Sequence, residues 1–319
     1  MSTRYLVTGV AGFIGSALAE TLLQQGESVR GVDDFSTGKR ENLERCPGLD
    51  FMEGDVADLA CAREACSDVK VVFHEAAIPS VPRSIAEPLV NHRANLDATV
   101  SLLCAARDAG VGRVIYAASS AAYGNDPVLP KREDLPPAPL SPYAAAKLAS
   151  EHYMSAFYAC YGLTTVNLRY FNVFGPFQDA ASTYSGVLAR FINAMLDGAE
   201  PQVYGDGEQT RDFVYVDNVV AANLLAARAP AERVAGQTIN VATGTSVSLR
   251  EVLAQLRGLF GYSGEVRYGP ARPGDVKHSQ ADIDRARELL GYRPSISFAE
   301  GLERTVAWYR RRHSATVLA

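Results

Sequence analysis

The sequence lacks the features that mark several protein classes. Its five cysteines, Cys46, Cys61, Cys66, Cys104 and Cys160, are odd in number, scattered and without a Cys-x-x-Cys pair. That usage argues against a disulfide framework and a structural zinc site, so no metal is expected and the thiols read as small apolar residues in a reducing compartment. Basic residues are not in excess: 31 Lys and Arg stand against 36 Asp and Glu, a formal net charge of -5. Partnership with nucleic acid or an acidic membrane surface is therefore not expected. There is no apolar run of roughly 18 residues and hence no expected membrane span. The opening Met-Ser-Thr-Arg leads straight into a strand-like run rather than a signal peptide. Internal repeats of solenoid period, low-complexity segments and a long linker are also missing. Hydrophobic residues make up 47% and charged residues 21% of 319, the balance of a soluble, cytoplasmic globular chain of one large domain or two modest ones.

What is present is an alternation. Strand-like runs at 5–8, 28–32, 49–53, 69–74, 113–117 and 164–168 are separated by helix-like stretches at 13–25, 59–66, 90–109 and 142–161. Short strands joined through helices imply right-handed crossovers and an α/β fold, a doubly wound parallel Rossmann sheet. After residue 172 proline and glycine become frequent, and helical patterns continue at 184–196, 216–227, 249–260, 283–290 and 298–312. We expect a first domain over 1–172 and a smaller, interleaved C-terminal substrate lobe over 173–319. Strands near 213–216 and 237–241 are expected to return to the first sheet. The crevice between the two parts is the expected ligand site.

The first βα turn reads Thr8-Gly9-Val10-Ala11-Gly12-Phe13-Ile14-Gly15. Gly9 permits a tight turn, Gly12 lets backbone N–H groups approach a pyrophosphate at a helix N-terminus, and Gly15 lets helix and strand pack closely. Gly9, Gly12, Phe13, Ile14 and Gly15 are thus candidates for dinucleotide binding. Asp33 ends the second strand about twenty residues on, where an acid accepts hydrogen bonds from an adenosine ribose. Its charge would repel a 2′-phosphate, favouring NAD over NADP, although Lys39 and Arg40 follow closely. Asp55 and Val56, after the third strand, are placed to meet the adenine.

A second constellation is Tyr143-x-x-x-Lys147 at the start of the helix 142–161. Positions i and i+4 share a helical face, so the Lys147 ammonium can lie near the phenol and lower its pKa toward neutrality, as a general base requires. The strand 113–117 runs into Ala118-Ser119-Ser120, and in a parallel sheet that carboxyl end faces the cofactor crevice. Ser119 can therefore bond the same hydroxyl that Tyr143 deprotonates, while Ser120 reads as a turn cap.

Taken together, Thr8 to Gly15, Asp33, Ser119, Tyr143 and Lys147 resemble the extended short-chain dehydrogenase/reductase superfamily. Leu168-Arg169-Tyr170-Phe171-Asn172-Val173-Phe174-Gly175-Pro176, the run Tyr204 to Phe213, and Arg272-Pro273-Gly274-Asp275-Val276 resemble segments of the UDP-glucose 4-epimerase family. Tyr116 to Ser120 and Gly274 to Ser279 are most similar to its bacterial UDP-N-acetylglucosamine 4-epimerase branch. The resemblance implies NAD as cofactor and a UDP-sugar as substrate. It also implies a cycle in which Tyr143 and Ser119 handle the proton of the sugar 4-hydroxyl while C4 passes through a ketone, with Lys147 holding the nicotinamide ribose. Asn172, Arg211 and Arg272 would hold the UDP, Asp275 the uridine ribose, and Ser279 would leave room for an N-acetyl group at C2. UDP-GlcNAc and UDP-GalNAc are the expected pair, with UDP-Glc and UDP-Gal also accepted. A UDP-glucuronate 4-epimerase or decarboxylase stays open, with Arg83 a candidate for the carboxylate, as does a non-catalytic NAD-binding scaffold. A 4,6-dehydratase would need an acid pair where Ser120 and Ala121 stand. Broad apolar faces on the helices at 90–109 and 142–161 suggest a homodimer.

Overall fold

A computed structural model describes residues 4–178, 186–271 and 277–317, with the side chains of 315–317 left aside. Thirteen strands are found among them: β1 (Arg4–Thr8), β2 (Ser28–Asp33), β3 (Asp50–Glu53), β4 (Val71–His74), β5 (Arg113–Ser119), β6 (Thr164–Tyr170), β7 (Asn172–Phe174), β8 (Gln202–Tyr204), β9 (Thr210–Arg211), β10 (Phe213–Tyr215), β11 (Gln237–Val241), β12 (Val247–Ser248) and β13 (Arg267–Gly269). The α-helices are α1 (Phe13–Gln24), α2 (Leu59–Cys66), α3 (Val81–Ala86), α4 (Pro88–His92), α5 (Ala98–Asp108), α6 (Pro142–Tyr161), α7 (Val187–Leu196), α8 (Val216–Arg228), α9 (Ala231–Val234), α10 (Leu249–Phe260), α11 (Asp284–Leu290) and α12 (Phe298–Val317).

Seven strands form one sheet in the order β11-β6-β5-β4-β1-β2-β3, every pair parallel. The doubly wound parallel sheet expected from the alternation is present. Apolar side chains alternate between its faces. Leu6, Val72, Val114 and Tyr116 pack with Ala62 of α2, Leu103 of α5 and Met154 of α6. Val7, Phe73, Ile115 and Val166 pack with Leu18 and Leu22 of α1 and Val219 of α8. A helix from beyond residue 172 therefore completes one face of the sheet.

Two expectations need correction. The run at 237–241 joins the sheet as its edge strand β11, but 213–216 does not return to it: β10 pairs with β7 in a separate two-stranded ribbon. The reason is packing, for Phe174 of that ribbon gathers Phe213, Tyr215 and Phe298 within 6.1 Å, 5.7 Å and 5.5 Å between ring centroids. The single helix expected at 90–109 is instead α4, a π-helical turn (Arg93–Asp97) and α5. There Asn95 is buried, its amide bonds the Asn91 carbonyl at 3.0 Å, and the Thr99 hydroxyl takes the Asn95 carbonyl at 2.7 Å. All five cysteines are free. Among the described residues no helix is long and apolar enough to cross a membrane, and no cluster of His, Cys, Asp and Glu could hold a metal ion.

Candidate active site

The glycine turn is built as its spacing requires. Gly9 has φ +66°, and a Cβ there would sit 2.7 Å from the Ala76 nitrogen. A Cβ on Gly15 would lie 2.2 Å from the Gly9 carbonyl oxygen, so helix α1 can approach β1 this closely only without a side chain. Gly12 caps α1 with no side-chain hydrogen bond, and no acid stands in the first turn. The positive end of the helix is thereby presented to an anion. Phe13 and Ile14, the first two residues of α1, turn their side chains to the core and contribute backbone to the turn.

Asp33 ends β2 and is 7% exposed. Its carboxylate accepts the Ala11 N–H at 2.9 Å and the Phe35 N–H at 2.8 Å, so it also braces the glycine turn. Burial pushes its pKa up, against the pull of those two bonds. A pocket beside it is lined by Gly9, Asp33, Thr37, Asp55, Val56 and Ala98. Asp55 is held there by the Ala57 N–H at 2.8 Å and by Arg93 at 3.0 Å. An acid for a ribose, a turn that rejects Cβ atoms and an uncapped helix fit the adenosine diphosphate half of NAD. Arg40 is engaged with Glu53 at 2.7 Å and stacks over Phe35 at 4.0 Å, which leaves the preference given by Asp33 standing.

Helix α6 packs against β5, two strands from β1 in the sheet. Ser141 accepts the Ala144 N–H at 3.2 Å, Pro142 fits the first helical position, and Gly162 closes the helix at φ +70°. Tyr143 thus lies in the first turn, partly buried, with the Ser119 hydroxyl near it at the carboxyl end of β5. Ser119 also accepts the Ala121 N–H at 3.2 Å and so caps the turn beyond the strand. Lys147 is buried on the same helical face, but its ammonium donates to the Ala117 carbonyl at 2.8 Å and sits 4.7 Å above the Tyr116 ring.

The electrostatics differ from the expectation for Tyr143. Its pKa stands above the ordinary value because burial raises it, and the pull in the other direction comes from the nearby Ser119 hydroxyl rather than the Lys147 charge. Lys147 itself is lowered to about 8 by burial, with Glu75 and Glu151 opposing. Glu75, one residue beyond β4, went unnoticed in the sequence. Burial pushes its carboxyl up to about 7, against the hydrogen bond from Tyr170 at 2.8 Å and the Lys147 charge. Tyr170 in turn accepts the Asn223 amide at 2.7 Å. The signal for Glu75 was available: it sits at a strand's carboxyl end, where Ser119 was found. Beneath them His74 bonds Thr8 at 2.8 Å and Thr99 at 3.1 Å, and burial lowers its pKa to about 3, so the imidazole is neutral.

The residues expected to hold a UDP-sugar are partly brought together. Arg211 ends β9, and its guanidinium donates to the Thr210 and Lys277 carbonyls at 2.8 Å and 3.2 Å. Ser279, partly buried, gives its N–H to the Thr210 carbonyl at 3.1 Å. The Asn172 N–H bonds the Asp212 carbonyl at 3.1 Å. Arg272 and Asp275 lie outside the described residues. Arg83 is paired with Glu87 at 3.0 Å on α3.

Residues 5–242 match the NAD dependent epimerase/dehydratase family. Over 97% of its length the chain is 41% identical to a UDP-glucose 4-epimerase of Mycolicibacterium smegmatis, covering 99% of that protein. A UDP-glucuronate 4-epimerase of Thermodesulfobacterium geofontis is 34% identical, with 95% of each chain covered. Among solved structures, the UDP-N-acetylglucosamine 4-epimerase from Methanobrevibacter ruminantium M1 in complex with UDP-N-acetylmuramic acid superimposes with a TM-score of 0.91. It is 40% identical, covering 98% of this chain and 99% of that one.

Proposed function

The chain belongs to the NAD dependent epimerase/dehydratase family, and we propose that within it the protein inverts C4 of UDP-hexoses. UDP-GlcNAc and UDP-GalNAc are the preferred pair, and UDP-Glc and UDP-Gal are accepted. The observation that carries this reading is the placing of Tyr143, Ser119 and the buried Lys147 ammonium together where β5 meets α6, at the same carboxyl ends of the sheet that bear the glycine turn.

NAD, when bound, supplies the hydride acceptor and donor that take the sugar carbon through a ketone. The chain's own residues do the remaining work. Tyr143 removes the proton from the sugar 4-hydroxyl as the ketone forms and returns it to the same oxygen when C4 is reduced on its other face, and Ser119 bridges the two oxygens by hydrogen bonds. Lys147 bonds the nicotinamide ribose from the helical face that it shares with Tyr143. Gly9, Gly12 and Gly15 admit the pyrophosphate, Asp33 takes the adenosine ribose, and Asp55 with Val56 flank the adenine. Asn172, Arg211, Arg272 and Asp275 hold the UDP, the arginines by charge-assisted bonds. Ser279 leaves space beside C2 of the sugar.

A uronate substrate is disfavoured because Arg83, its candidate partner, is already paired with Glu87. A homodimer is supported by the apolar side chains left exposed on the α4 and α6 faces: Leu89 (83%), Tyr153 (43%), Tyr158 (42%) and Tyr161 (55%). Leu103 of α5 and Met154 and Phe157 of α6 belong to the core. Incubation with UDP-GlcNAc, UDP-Glc and UDP-GlcA in turn, followed by chromatography of the products, tests the reading. Interconversion of the first two and no reaction of the third is expected; turnover of UDP-GlcA alone would refute it.

A further inference from the structure

Asp212, between β9 and β10, has no solvent exposure and, among the described residues, no cation among its partners, yet its carboxylate collects four donors. One oxygen accepts the Thr243 N–H at 2.9 Å and the Thr243 hydroxyl at 2.7 Å. The other accepts the Gly244 N–H at 3.0 Å and the Ala281 N–H at 3.2 Å. These donors come from two loops far apart in sequence, one after β11 and one carrying Ser279.

The connections converge on residues already assigned to the UDP-sugar. Arg211 directly precedes Asp212, the Asp212 carbonyl takes the Asn172 N–H, and Ala281 is two residues beyond Ser279. The segment around Ser279 is laced along its length. The Thr210 N–H bonds the Lys277 carbonyl at 3.0 Å, the Lys131 N–H bonds the Gln280 carbonyl at 2.7 Å, and the Gln280 amide reaches the Gly244 carbonyl at 2.9 Å. Asp212 is the buried charge where this lacing meets the stem of Arg211.

We propose that Asp212 is a positioning residue for substrate: it fixes the segment bearing Ser279 against the strand bearing Arg211, so that one buried carboxylate sets both the grip on the uridine diphosphate and the space beside the sugar C2. This rests on the function proposed above. An ionised carboxylate is acceptor-only and meets four donors without conflict. An asparagine would turn an NH2 group toward N–H donors and leave buried donors unsatisfied, although its shape is the same.

Asp212→Asn and, as a milder second variant, Thr243→Val are compared with the wild type. Calorimetric titration with UDP, steady-state kinetics on UDP-GlcNAc and UDP-Glc, NAD retained through gel filtration, and thermal unfolding are measured. In Asp212→Asn the UDP Kd and both KM values rise about tenfold, kcat stays within about threefold, NAD content is unchanged and the preference between the two sugars narrows. Thr243→Val moves the same quantities in the same direction by less, and it decides the question if Asp212→Asn does not fold. Wild-type UDP binding with an unaltered Kd and KM in the folded variants overturns the proposal alone. A wild-type chain that binds no UDP overturns the function reading and the proposal together.

Discussion

The sheet half and the C-terminal lobe place their functional groups by different means. In the sheet half the backbone does it. Ser119, Glu75, Asp33 and the glycine turn all sit at carboxyl ends of neighbouring parallel strands, and the register of β1, β2, β4 and β5 alone brings them to one edge. In the lobe the strands are two or three residues long and pair only two at a time. Side chains then hold the loops: Asp212 binds two of them, and the Asn218 side chain takes the Ser295 and Ile296 N–H groups at 2.9 Å and 3.1 Å. The comparison teaches that one fold can place groups by main-chain periodicity in its sheet and by a few buried polar side chains among its loops.

The sharpest separation of the two regions is Tyr143→Phe. Removing the phenol oxygen should lower kcat by about 10²–10⁴-fold, the range for a general acid–base group. KM for UDP-GlcNAc should stay within a few-fold if, as proposed, the lobe holds the nucleotide. Steady-state kinetics check this, and near-normal kcat would take the base role from Tyr143.

Next in size is Gly15→Ala, which drives a Cβ to 2.2 Å from a backbone oxygen. Such overpacking costs about 1–3 kcal/mol, and the turn must distort. Purified variant should lose most of its NAD, read from the absorbance of the released nucleotide, while UDP affinity is kept. Equal loss of both ligands would mean that the two regions are not independent.

The legibility of the sequence follows the same division. Helix α6 was readable to its ends because Ser141, Pro142 and Gly162 punctuate it, and Tyr143 and Lys147 came with it. The parallel sheet was readable from its apolar runs. The π-helical turn was not, since it depends on Asn95 and Thr99 bonding across a turn, which leaves no mark on hydrophobic spacing. Nor was the pairing of β10 with β7, chosen by aromatic packing around Phe174. Asp212 lay in a recognised segment without a role, because its four donors are 31 to 69 residues away. The direction of the Lys147 ammonium, toward the Ala117 carbonyl, depends on where β5 runs beneath α6.

A change confined to the lobe is Ser279→Tyr. It should lower kcat/KM for UDP-GlcNAc about a hundredfold by filling the space beside C2, while UDP-Glc falls less than tenfold; hydrophobic pockets discriminate a missing group by about 10–200-fold. A parallel fall for both sugars would show that Ser279 does not gate the 2-substituent.

The smallest effect belongs to Glu75, where the sheet half itself relies on a side-chain network. Its pKa is raised from 4.5 to about 7, so the folded state favours the protonated carboxyl. That contribution to stability is complete below about pH 4.5 and is lost as the pH rises through about 7. Wild-type stability should therefore fall relative to Glu75→Gln between pH 5 and 7, by at most about 1.4 kcal/mol per pH unit and less where water reaches the carboxylate. Denaturant unfolding at a series of pH values measures it, and parallel curves for the two proteins would remove Glu75 as a titrating group of raised pKa.

The central claim is that one carbon, C4, is oxidised and reduced within a single site. UDP-GlcNAc carrying deuterium at C4, incubated in ordinary water without added NAD, tests it most directly. The account predicts UDP-GalNAc that keeps the deuterium at C4, read by mass spectrometry and proton NMR. Product that has exchanged the label for solvent hydrogen, or no product at all, would contradict it.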